Sequence, residues 1–100
     1  MKILLVCSAG MSTSMMVNKM KAKADERGIE TEIWAVPDAD AINNIDKADI
    51  VMLGPQVRFL ESKMKDMAKG KPVVIIDMVA YGTMNGEKVL DQAIEALNNN

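Results

Sequence analysis

Apolar β-prone runs and helical patterns alternate strictly along this 100-residue chain, which predicts one α/β domain with a parallel sheet and helices on both faces. Two further observations agree. The runs Ile3–Val6, Ile50–Leu53 and Val73–Ile76 are apolar throughout, as strands covered on both sides must be. Glycine and proline fall between the runs, at Gly28, Gly54-Pro55, Gly70 and Pro72, where the chain has to turn.

Four βα units follow in order. Ile3–Val6 is the first strand, and a helix from about Ser12 to Arg27 comes after it, ended by Gly28 as a left-handed cap. Ile29–Val36 mixes Ile29, Ile33 and Val36 with Glu30, Thr31 and Glu32, the pattern of an edge strand with one face partly wet. Pro37-Asp38 turns into a short helix near Ala39–Ile45, and Ile50–Leu53 is the third strand, stopped by Gly54-Pro55. Val57, Leu60, Met64, Met67 and Ala68 recur at helical spacing, so an amphipathic helix is expected until Gly70. Val73–Ile76 is the fourth strand and Asp77–Gly86 a loop. A last helix carries Val89, Leu90, Ala93, Ile94 and Leu97, leaving Asn98–Asn100 as a frayed tail.

At 49% hydrophobic and 26% charged, the chain can bury one core but not two, so residues 1–100 are expected to form one domain. Only Met1 and Lys2 precede the first strand, and no apolar run reaches the ~18 residues of a membrane span. A cytoplasmic protein with no inserted segment is therefore expected. A net charge of −2 and three aromatic residues give no reason to expect nucleic acid. One cysteine and no histidine exclude an internal disulfide and a structural zinc site, so neither a metal nor another cofactor is expected.

The single cysteine, Cys7, stands where the first strand ends. The segment after it, Ser8-Ala9-Gly10-Met11-Ser12-Thr13-Ser14, offers little apolar burial and four hydroxyls. A strand that turns through such a loop into a helix aims backbone N–H groups and the positive helix end at one point, which is a phosphate cradle. The field there also favours anionic sulfur, so Cys7 is placed to attack phosphorus. Free cysteines are more often buried core residues, but a core cysteine would fall inside the apolar run, whereas this one ends it. In a parallel sheet the strand carboxyl ends share one rim. That rim collects the cysteine loop, Pro37-Asp38, Gly54-Pro55-Gln56 and Asp77–Gly82, where ligands of open α/β sheets bind.

Several chemistries are excluded. Without histidine there is no Ser-His or Cys-His pair. The loop lacks the Gly-Lys-Ser/Thr ending of a nucleotide P-loop, and no G-x-G-x-x-G follows a strand. A response regulator needs an aspartate where Leu53-Gly54 stands, and thioredoxin-type chemistry needs a second cysteine. The strand, cysteine loop and helix resemble the low-molecular-weight cysteine phosphatases. That family clamps the phosphoryl group with an arginine six residues after the cysteine, and the position here is Thr13. A chain without the clamp is expected to form a thiophosphate and hydrolyse it slowly, as a carrier does.

The segments Cys7–Ser14, Leu53-Gly54-Pro55-Gln56, and Asp77 with Tyr81-Gly82 resemble the three signature segments of the enzyme IIB component of the bacterial phosphoenolpyruvate-dependent sugar phosphotransferase system, lactose/cellobiose class. The resemblance spans the chain, and the loop is more similar to the cellobiose and chitobiose members than to the lactose ones. It implies a four-stranded parallel sheet of order 2-1-3-4 and a phosphoryl relay. A phosphohistidine on a IIA protein would donate to Cys7, and Cys7 would pass the group to a β-linked disaccharide held by a membrane IIC protein, at the inner face of the membrane. Backbone amides from Ser8 to Ser14, through Ala9, Gly10 and Met11, would hold the phosphoryl group, with the hydroxyls of Ser12, Thr13 and Ser14 as further donors.

Other residues carry weaker signals. Asp77 fits a turn cap as well as an acid, and no catalytic role is assigned to it. Gln56 and Tyr81 line the same rim. Met11, Met15 and Met16 could form an adaptable docking surface, although most methionines pack cores. Trp34 reads as an edge-strand packing residue, and Lys19, Lys21, Lys23, Arg58, Lys63 and Lys65 as solvated helix surface.

Overall fold

Four parallel strands, Glu32–Pro37, Lys2–Cys7, Ile50–Leu53 and Val73–Ile75 in that spatial order, form the sheet, the 2-1-3-4 topology that the family resemblance implied. The computed structural model describes residues 1–8 and 10–99; Ala9, Asn100 and the side chains of Gly10, Met11 and Ser12 lie outside the described residues. The elements are β1 (Lys2–Cys7), α1 (Gly10–Glu26), β2 (Glu32–Pro37), β3 (Ile50–Leu53), α2 (Glu61–Ala68), β4 (Val73–Ile75), α3 (Met78–Gly82) and α4 (Gly86–Asn98). Short 3₁₀ turns at Asp38–Asn43, Ile45–Lys47 and Pro55–Leu60 complete the connections. Among the described residues, no helix is long and apolar enough to cross a membrane.

Side chains of the two inner strands alternate between two cores, which is why their sequences are apolar without interruption. On one face Ile3, Leu5, Ile50 and Met52 meet Met16, Val17 and Met20 of α1 and Val89, Leu90 and Ala93 of α4. On the other, Leu4, Val6, Val51 and Leu53 meet Ala41, Ile45, Val57, Met64 and Ala68. Trp34 packs against the second core from edge strand β2, and its Nε1 donates to Asn44 Oδ1 at 3.0 Å, as expected of an edge-packing residue. The first core is closed by α1 crossing α4 at Gly86, where a β-carbon would stand 2.6 Å from Lys19 Cβ. Arg27 joins the same helices at the surface through Asp91 and Glu87, and both carboxylates hold its guanidinium pKa above the ordinary arginine value.

Several element boundaries differ from the sequence expectation. The second strand starts at Glu32 rather than Ile29, because the Ile29 N–H donates back to Ala24 O of α1 and is not free for the sheet. Gly28 does take the left-handed conformation, at φ 68°. The short helix near Ala39–Ile45 is instead two 3₁₀ turns parted at Asn44, whose amide is drawn to Trp34 and to Asp40 O. The expected helix from Val57 is 3₁₀ through Leu60, with Val57 at φ −117°, and becomes α-helical only at Glu61. Its first left-handed residue is Lys69, one before Gly70. The Asp77–Gly86 loop contains α3. The tail is ordered further than expected, since Asn98 is helical and the Asn99 N–H donates to Glu95 O.

Candidate functional site

Cys7 is the last residue of β1, still in register with Pro37 of β2, and is 2% exposed. It belongs to neither core cluster among the described residues. Cys7 thus closes β1, and its burial goes beyond what the polar segment after it suggested. Strand order reverses between β1 and β3, so Cys7 stands at the sheet's switch point, where α/β sheets open a crevice at their carboxyl ends. Gly54 lies beside it after β3, with its N–H donating to Val6 O at 2.9 Å. A β-carbon on Gly54 would stand 3.7 Å from Cys7 Cβ and 3.0 Å from Gln56 Oε1. The missing side chain keeps open a space that Cys7 and Gln56 share.

Helix α1 begins sooner after Cys7 than the sequence suggested. Gly10 is already helical, so the segment expected to be an eight-residue loop is in large part the first turns of a 17-residue helix. Helical geometry engages the Ser14 N–H with Gly10 O and leaves the four N–H groups at the helix start without an intrahelical partner. The positive helix end is worth about half an elementary charge there. The first turn, Gly10–Thr13, carries no acidic residue to oppose an anion. Ser8 and Ser14 are exposed, while the expectations for Ala9 and for the Met11 and Ser12 side chains lie outside the described residues.

Thr13 is fully buried, and its hydroxyl lies 3.2 Å from the Tyr81 hydroxyl. That contact joins α1 to α3. Tyr81 itself is 7% exposed and lines a cleft of about 510 Å³ with Pro55, Gln56, Arg58, Phe59 and Met78. The structure thus brings Gln56 and Tyr81 together. Asp77 stands apart: its carboxylate accepts from the Ala80 N–H at 2.9 Å as the N-cap of α3, and it borders a different hollow with Lys88, Asp91 and Gln92. The turn-cap reading of Asp77 is the one realised.

Of the methionines proposed for docking, Met15 is 55% exposed, whereas Met16 is buried in the first core. Sequence reasoning missed four exposed apolar residues on segments that follow the strand carboxyl ends: Ile42, Phe59, Met78 and Val79. A signal existed for Phe59, which falls outside the Val57, Leu60, Met64 spacing. Met78 and Val79 gave none, because a two-residue apolar pair in a loop has no periodicity. Arg58, assigned to solvated surface, is exposed but borders the cleft with Phe59.

Comparison with known proteins agrees with this geometry. A curated oligo-β-mannoside-specific EIIB component from Bacillus subtilis is 47% identical over 100 residues, covering 98% of this chain and 97% of its own. A galactose-specific EIIB component from Lactococcus lactis is 42% identical over 103 residues, covering 96% and 95% of the two chains. Among solved structures, a cellobiose-specific phosphotransferase IIB component from Borrelia burgdorferi superposes with a TM-score of 0.82 at 46% identity, over 99% of this chain and 93% of that one. A lactose-specific IIB domain from Streptococcus pneumoniae, 20% identical, shares the fold with a TM-score of 0.86 over 96% of each chain. The model of the lactose/cellobiose-specific IIB subunit of the phosphotransferase system matches residues 2–92, and with the full-length relatives it shows that this chain belongs to that family.

Proposed function

We propose that Cys7 is the phosphoryl carrier of this IIB component, loaded by a phosphohistidine on a IIA protein and discharged to a sugar on a membrane IIC protein. The observation that carries the reading is the position of Cys7: it ends the central strand β1 at the switch point, immediately before a long helix whose first turn holds no acidic residue. In the loading step Cys7 Sγ attacks phosphorus, the S–P bond forms as the N–P bond breaks, and the thiol proton leaves with the imidazole. In the second step a sugar hydroxyl attacks, the O–P bond forms as S–P breaks, and the hydroxyl proton restores the thiol. Phosphoryl transfer asks mainly for positioning and charge stabilisation, which the helix-start amides, having no intrahelical partner, and the helix dipole would supply. The chain has no histidine, so the phosphohistidine belongs to the donor.

The exposed apolar residues Phe59, Met78 and Val79, on segments that follow the carboxyl ends of β3 and β4, support contact with partner proteins on that rim. The work is done at the cytoplasmic side of the membrane, where IIC presents the sugar. That sugar is a β-linked disaccharide or short oligosaccharide of the cellobiose type; relatives named for oligo-β-mannoside, galactose and cellobiose stand at similar identity, which adds β-mannosides to the cellobiose and chitobiose candidates. Phosphatase action is disfavoured by Thr13, which stands six residues after Cys7, where cysteine phosphatases of the low-molecular-weight type carry the clamp arginine.

The reading is tested by incubating wild type and Cys7→Ser with phosphoenolpyruvate, the general phosphotransferase proteins and a IIA protein, followed by intact mass. One phosphoryl adduct on wild type and none on a folded Cys7→Ser is expected. Equal labelling of both refutes it, and steady hydrolysis of aryl phosphates by wild type would replace it with the phosphatase reading.

A further inference from the structure

We infer that Thr13 and Tyr81 are a pair of positioning residues: their buried hydroxyl contact ties the start of α1 to α3 and so fixes the helix end that faces Cys7. The inference rests on the reading of Cys7 as the phosphoryl carrier and adds what holds its cradle in place.

The two hydroxyls lie 3.2 Å apart although the residues are 68 positions apart in sequence, Thr13 at 0% and Tyr81 at 7% exposure. A threonine in a helix ordinarily satisfies its hydroxyl on the preceding turn or in water. Here Thr13 is fully buried, and its hydroxyl meets a side chain of α3, which follows β4, two strands away from β1 on the same face of the sheet. Helix α1 packs extensively on α4 and β2 but only slightly on α3 among the described residues. The pair therefore adds a link from α1 to α3 to the packing of α1 on α4 and β2.

Tyr81 can serve as a fixed arm because α3, too short to be stable alone, is clamped at its origin. Asp77 caps it through the Ala80 N–H. Gln92 of α4 accepts from the Asp77 N–H at 3.0 Å and donates from Nε2 to Ile75 O at 2.6 Å. A continuous chain of contacts thus runs from α4 and the end of β4, through Asp77 and Tyr81, to Thr13, six residues after the cysteine. The other side of Tyr81 lines the cleft with Gln56, Phe59 and Met78.

The test compares Thr13→Val, Tyr81→Phe, their combination and Thr13→Ser in the full chain. The first readout is alkylation of Cys7 by iodoacetamide under native conditions, which does not depend on the phosphocarrier reading. Because Cys7 is 2% exposed, loosening the helix start is expected to speed alkylation in both single variants. The expected factor is roughly tenfold, of the order set by one buried neutral hydrogen bond. The double variant should match the singles, and Thr13→Ser should return to the wild-type rate. Ala68→Gly in α2, on the opposite face, serves as a control that lowers stability and leaves the alkylation rate unchanged. The second readout is transfer from phosphorylated IIA: kcat falls in the singles while the KM for IIA holds, and Thr13→Ser restores it. Wild-type alkylation rates in both singles overturn the inference. So do multiplicative effects in the double variant, or a Thr13→Ser variant that behaves as Thr13→Val. If wild type accepts no phosphoryl group, the carrier reading fails, and the pair is judged on alkylation alone. If Thr13→Val does not fold, Tyr81→Phe and Thr13→Ser decide the matter by the same criteria.

Discussion

Gly86→Ala is the substitution whose cost follows most directly from the geometry. Gly86 opens α4 and is buried against α1, where an added β-carbon would stand 2.6 Å from Lys19 Cβ, 2.7 Å from Lys19 C and 2.8 Å from Met20 N. Two of those atoms are backbone, so no rotamer change relieves the contact. Carbon atoms rest at about 3.5–4.0 Å, so the two helices must part by about 1 Å, which loosens Met16, Val17 and Met20 against Val89, Leu90 and Ala93. Overpacking of this kind costs ~1–3 kcal/mol. Alanine recovers up to about 1 kcal/mol of helix propensity in an interior position, and less at the first residue after the Asn85 cap. The net loss is therefore about 2 kcal/mol. For a small domain with an m-value of about 1–3 kcal/mol/M in urea, the midpoint falls by about 1 M. The thermal midpoint falls by roughly 8–16 °C. Urea titration followed by circular dichroism and by the fluorescence of Trp34, the single tryptophan, measures it. An unchanged or raised midpoint refutes the close α1–α4 crossing.

Two further substitutions separate structure from chemistry at the rim. Asp77→Asn preserves a side-chain oxygen that can cap α3, so stability within about 0.5 kcal/mol of wild type and undiminished phosphoryl transfer are expected; loss of transfer in a folded protein, measured with the IIA donor, would make the carboxylate part of the chemistry. Gly54→Ala meets only the end of the Gln56 side chain closely, at 3.0 Å, and is expected to fold with a loss under ~1 kcal/mol. Its transfer rate should fall together with that of Gln56→Ala, and a normal Gly54→Ala rate beside a crippled Gln56→Ala rate would contradict the shared space between Gln56 and Cys7.

The inner strands were legible because burial on both faces leaves no room for a polar residue in Ile3–Val6 or Ile50–Leu53, so burial and sequence carry the same information. Gly28 was legible as a helix stop for an equally local reason, its positive φ. Where tertiary contacts decided, the sequence was less informative. Ile29 is β-prone, yet its amide is captured by the end of α1. Asn44 parts the Asp38–Lys47 segment because Trp34, ten residues back, reaches its side chain. Helix α3 is a turn and a half fixed by an aspartate cap and by Gln92 from another helix, so no hydrophobic period announces it. At the site, Cys7 was legible from its place at the end of an apolar run. The burial of Thr13 was not, since a hydroxyl among serines reads as exposed until a tyrosine 68 residues away is brought against it.

The measurement that bears most directly on the central claim is the location and fate of the phosphoryl group on wild-type protein charged from phosphoenolpyruvate through IIA. Fragmentation mass spectrometry is expected to place a single group on Cys7 as a thiophosphate. Adding membranes that contain the IIC partner and its sugar is expected to remove that group and yield an equivalent of sugar phosphate. A group found on Ser8, Ser12 or another hydroxyl, or a Cys7 thiophosphate that persists unchanged beside IIC and sugar, contradicts the account.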